Sequence, residues 1–126
     1  MTEAAALIAC AILAGLTIFQ ILLIAGKPLG HFAWGGAHRV LPPKLRKASV
    51  VSIVLYALFA VLILSKAGVA DIIPSQHITS IGMWVSTGYF LLGIPLNAIS
   101  RSRNERLTMT PVVTALAIAF LIVTLQ

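Results

Sequence analysis

Residues 4–26 read AAALIACAILAGLTIFQILLIAG, an uncharged run of 23 residues in which Thr17 and Gln20 are the only strongly polar side chains. As a helix rising about 1.5 Å per residue, this run is about 35 Å long, and a bilayer hydrocarbon core is about 30 Å thick. Its length and lack of alternation exclude a membrane strand. Three more apolar runs follow between charges: residues 48–65, 72–100 and 107–126, of 18, 29 and 20 residues. Each is long enough to cross a membrane as a helix. Composition agrees, with 60% of the 126 residues hydrophobic, 10% charged, and a mean hydropathy of +1.04. Soluble domains carry about 25% charged residues. The longest stretch between apolar runs, residues 27–47, is too short for a soluble catalytic domain. A lone cysteine, Cys10, excludes a disulfide scaffold and reads as a small packing group.

The sequence therefore predicts an all-α bundle of four transmembrane helices in a single integral membrane domain, residues 1–126. The helices are expected at about residues 4–26, 48–66, 76–99 and 110–125, with basic loops at 27–47 and 100–109. Gly26 and Pro28 are placed to stop the first span, Pro42-Pro43 to set up the second, and Gly68 to end it. Thr110-Pro111 reads as an N-cap followed by proline at the first helical position of the fourth. Eight of the nine lysines and arginines fall in the two loops, and Lys66 is alone at the other end. By the positive-inside rule both loops are cytoplasmic and both termini outside. The net charge of +6 is thus a topology signal facing anionic lipid headgroups, not a nucleic-acid footprint. The first span lacks a basic leader and is longer than the apolar core of a signal peptide, so it is expected to be retained.

Polar groups within the spans are the default pointers to function. No Asp, Glu, Lys or Arg falls in the middle of any span, which argues against proton antiport through a membrane-embedded carboxylate. Uncharged polar groups gather toward the loop end: Gln20, Ser49 and Ser52, Asn97, and Thr114, with Tyr56 and Tyr89 deeper. They serve either as hydrogen-bonded glue between helices, at roughly 1 kcal/mol or less each, or as the lining of a cavity. The third span carries Gly82, Gly88, Gly93 and Pro95. Pro95 cannot donate to the Leu91 carbonyl, so a kink facing protein or a cavity is expected, for packing or for gating by Gly93 and Pro95. Small residues along the first span suit close helix approach, within the bundle or across a homo-oligomer.

The first loop, KPLGHFAWGGAHRVLPPKLRK (residues 27–47), mixes three glycines, three prolines, Phe32, Trp34, two histidines and five cations. Phe32 and Trp34 suit the headgroup region, and Gly35-Gly36 permits a tight turn that folds the loop back as an interfacial or re-entrant element. The reading is divided between a topology anchor and an anion or headgroup site built from His38, Arg39 and the Gly35-Gly36 backbone. There is no Walker pattern, and His31 and His38 lack a companion carboxylate or thiolate for a metal. Glu105 is the only carboxylate expected on the loop side, so no nucleophile–base–acid set is in view.

The run PLGHFAWGGAHRVLPPKLR (residues 28–46), the serines opening the second span, and NAISRSRNER (residues 97–106) ahead of Thr-Pro resemble a group of small bacterial integral membrane proteins. These carry an AWGGxHRVLP string in a cytoplasmic loop, and the resemblance covers nearly the whole chain. It implies a four-helix fold in the bacterial inner membrane and no activity, so no residue inherits a role. The functional expectation is a small carrier or channel for a small or anionic species. Its site at the cytoplasmic leaflet would combine Gln20, Trp34, Gly35, Gly36, His38, Arg39, Ser52 and Asn97. No catalytic residue, metal or cofactor is expected. The alternatives are a lipid-binding or accessory subunit without catalysis and, last, an intramembrane enzyme acting on lipid or quinone. Expected partners are anionic headgroups and further copies of the chain.

Overall fold

A computed structural model describes all 126 residues as four helices and no strand. They are α1 (Thr2–Ile24), α2 (Pro43–Lys66), α3 (Gln76–Ala98) and α4 (Arg103–Thr124). Two single 3₁₀ turns, Gly30–Phe32 and Trp34–Gly36, shape the first loop. All four helices are long and apolar enough to cross a membrane. The helices run up and down in sequence order, and α4 closes the ring against α1. The α3–α4 packing is the most extensive, and α2 against α3 is the thinnest seam of that ring.

Helix ends follow backbone chemistry. Gly26 and Gly68 adopt left-handed conformations (φ +88° and +76°) just beyond α1 and α2, and there the backbone turns back on the last carbonyls. The Ser75 and Ser102 hydroxyls accept from the amides of Ile78 and Glu105, capping α3 and α4.

Two boundaries differ from the sequence expectation. α2 starts at Pro43, not at residue 48, because proline suits the first helical turn; Lys44, Arg46 and Lys47 therefore ride on helix. α4 starts at Arg103, and Pro111 lies inside it. Proline sacrifices only one helical hydrogen bond there, the Ser102 cap starts the helix earlier, and the Thr114 hydroxyl bonds the Thr110 carbonyl across that turn. The second basic loop shrinks accordingly to a tight connection. Nor does Pro95 break α3, which is helical throughout. The Asn97 amide bonds the Gly93 carbonyl at 2.8 Å rather than that of Leu91. At about 100° per residue, Pro95 and Gly93 point to different sides, so Gly93 meets α4 while Pro95 is exposed.

The packed core fills the half of the bundle nearer the termini. Ala5, Ala6, Ala9 and Leu13 of α1 meet Ile63, Met83, Leu116 and Phe120 there. At mid-depth Phe90 stacks against Phe59 and Phe120, with ring centroids 4.8 Å away in each case. Apolar side chains cover the outside as well: Leu7, Ile18, Val51, Val85 and Ile118 are each more than half exposed, as lipid contact requires. Thr79, Ser86 and Thr87 of α3, the helix with the lowest mean hydropathy (1.2), are buried and hydrogen-bonded. Ser86 donates to the Gly82 carbonyl, and Thr87 and Thr124 pair at 2.9 Å.

Candidate functional site

The half of the bundle nearer the basic loops is hollow. A cavity of about 600 Å³ runs from Phe90 and Leu116 at mid-depth to Glu105 at the loop end. Such a volume is in the range of small-molecule sites. α1 contributes Leu16, Phe19 and Gln20; α3 contributes Tyr89, Phe90, Leu92, Gly93, Leu96 and Asn97. α4 contributes Glu105, Met109, Val112, Val113 and Leu116. From α2 only Tyr56 reaches it, so the side between α2 and α3 is open toward the surrounding lipid. Leu92 and Leu96, exposed at 68% and 65%, form the lip of that opening.

The first loop closes the cavity from below. Phe32, Ala33 and Trp34 are part of its wall, and Phe32 packs edge-on against Phe19 at 6.4 Å. Three hydrogen bonds hold the loop in this form. The Gly30 amide bonds the Arg39 carbonyl at 2.8 Å and closes the loop on itself, and the Arg46 guanidinium bonds the carbonyl of buried Leu41 at 2.8 Å. The Ser102 hydroxyl donates to the His31 carbonyl and latches the loop to the start of α4. Gly36 packs so tightly there that a Cβ on it would stand 2.6 Å from that of Ser102. Trp34, Gly35 and Gly36 are three consecutive left-handed residues (φ +53°, +69° and +74°). For tryptophan this conformation costs about 1 kcal/mol or more, and Trp34, half exposed, is part of the cavity wall.

Two polar groups in the wall are incompletely bonded. Gln20 is only 9% exposed; its Nε2 donates to the Tyr56 hydroxyl at 3.3 Å, while Oε1 is buried with no partner. Exchanging the amide's O and N moves the vacancy to the other atom without filling it. Glu105 is also 9% exposed, and its Oε2 accepts from the Gly35 amide at 3.4 Å.

The residues singled out from sequence divide cleanly. Gln20, Trp34, Gly93 and Asn97 come together in the cavity wall. The expected anion cradle does not form. His38 and Arg39 are exposed and outside the cavity, and the Gly35 amide is occupied by the protein's own Glu105 carboxylate. Gly36 serves the loop latch. Ser52 bonds its own helix at Ala48 and takes no part in the cavity. Pro95 is likewise absent from the wall. Sequence reasoning passed over Glu105 as a loop residue; the Ser102-x-x-Glu105 capping spacing was the signal that it lies in the first turn of a helix.

No family model, curated protein or solved structure matches the chain.

Proposed function

We propose that the protein binds a small amphipathic molecule taken sideways from the membrane leaflet beside its basic loops, and acts as a carrier or binding protein for it. The observation that carries this reading is the cavity itself. Fourteen of its eighteen wall residues are hydrophobic, it opens between α2 and α3, and it holds an under-bonded amide at Gln20. An apolar body with a hydrogen-bonding head complements such a wall. The cavity stops at Phe59, Phe90 and Phe120, which favours a dead-end site over a pore through one chain. A site open to lipid equally supports the lipid-binding alternative, of which the carrier is the moving form. No paired acid–base set lines the wall, so an enzyme stays the last reading.

The proposal takes the membrane to be a bacterial inner membrane, with both loops cytoplasmic and their cations facing anionic headgroups; the charge asymmetry and the resemblance support that reading. Trp34 gives a direct test. With Trp84→Phe, the protein in zwitterionic nanodiscs has one tryptophan, in the cavity wall. A brominated alkyl alcohol is expected to quench it saturably, near one molecule per chain, and Val112→Phe is expected to weaken that quenching. Quenching that rises linearly with probe, identical in the filled variant, contradicts the reading.

A further inference from the structure

We infer that the head of the bound molecule is cationic, an amphipathic amine or alkylammonium; this rests on the cavity being a ligand site. Glu105 is a buried carboxylate whose hydrogen bond, at 3.4 Å from the Gly35 amide, is long. Buried carboxylates are normally paired with a cation, because burying charge without compensation is strongly unfavourable. None of the nine lysines and arginines or three histidines lines this cavity. The neighbouring Arg106 is turned away to the Ser100 carbonyl at 3.1 Å. The wall therefore presents a carboxylate held by the first turn of α4 and the Gly35 amide, with no cationic side chain in the same wall.

The rest of the wall suits a cation too. Phe19, Phe32, Trp34, Tyr56, Tyr89 and Phe90 all contribute rings. Aromatic faces attract ammonium groups, most strongly where water is excluded. An anion would meet the Glu105 carboxylate with no lysine or arginine to offset it. The net charge of +6 would by itself draw anions to the protein surface. A preference for cations must therefore arise inside the cavity.

The test displaces the brominated alcohol from Trp84→Phe protein in zwitterionic nanodiscs with three decyl probes: decyltrimethylammonium, decanol and decyl sulfate. The expected order places the ammonium about tenfold or more ahead of the alcohol, with the sulfate last. Glu105→Gln keeps the shape and a hydrogen-bond acceptor for Gly35, and should remove the ammonium's advantage while leaving the alcohol's affinity in place. Equal displacement by all three in both proteins overturns the cationic assignment and leaves the cavity reading standing. Sulfate ahead of ammonium overturns it as well. If the brominated alcohol itself never binds saturably, both readings fall together. Should Glu105→Gln not fold, the order of the three probes on the unsubstituted Glu105 protein decides the matter alone.

Discussion

Gln20 makes one side-chain hydrogen bond, although its amide offers two donors and an acceptor oxygen, at a depth where lipid rather than water surrounds the bundle. A half-satisfied buried amide destabilises the fold, and replacing both partners of its hydrogen bond by apolar groups of similar shape is often neutral or stabilising. Gln20→Leu combined with Tyr56→Phe is therefore expected to leave the thermal midpoint in detergent unchanged or higher, while weakening retention of the brominated alcohol. A lower midpoint with undiminished binding would make Gln20 an ordinary packing residue. Glycines divide in the same way. A Cβ at Gly30 would run into the backbone carbonyls of His38 and Arg39, which cannot swing aside, whereas Gly15 has nothing within 4 Å. Gly30→Ala should cost about 2 kcal/mol or more and expose the loop to protease. Gly15→Ala should gain up to about 1 kcal/mol, by removing backbone freedom from the unfolded chain. Thermal unfolding and limited proteolysis of the two variants check the contrast.

Ser102 ties two elements together: its hydroxyl caps α4 by accepting from Glu105 N–H and donates to the His31 carbonyl of the loop. Ser102→Ala should cost about 1 kcal/mol for the cap alone, and loosening the loop should red-shift Trp34 emission. Ser102→Thr should retain the cap. At the α3–α4 seam, a Cβ on Gly93 would stand 2.9 Å from Cγ2 of β-branched Val113, while one on Gly82 meets the flexible end of Leu62. Gly93→Ala is thus expected to lower the unfolding midpoint more than Gly82→Ala does. These elements also mark what was legible in the sequence. The four spans were, because uncharged runs of this length have one stable form in lipid. Gly26 and Gly68 were legible as stops. The start of α4 was misplaced, since Thr110-Pro111 also reads as a helix start and competes with the Ser102-x-x-Glu105 capping spacing, which is the one the structure uses. Gln20 and Asn97 were legible through their depth. Glu105 and the cavity's aromatics other than Trp34 were not, because which side of a helix faces the hollow half depends on how α1, α3 and α4 pack, and the apolar residues on all sides leave little periodicity to read.

The whole molecule is a bundle of two unlike halves. One is filled by alanines and the Phe59–Phe90–Phe120 stack; the other is kept open by the folded-back loop and the thin α2–α3 seam. That division underlies the proposed binding site without a pore, and it can be measured along α3. In a Cys10→Ala background, single cysteines at Asn97, Gly93, Thr87 and Met83 would be exposed in turn to a small water-soluble methanethiosulfonate. Reaction is expected at 97 and 93 and to stop before 87 and 83, with decyltrimethylammonium slowing it at 93. Reaction continuing through 87 to 83 would mean an aqueous path through the chain, and no reaction at 97 or 93 would mean a bundle packed throughout; either contradicts the dead-end cavity.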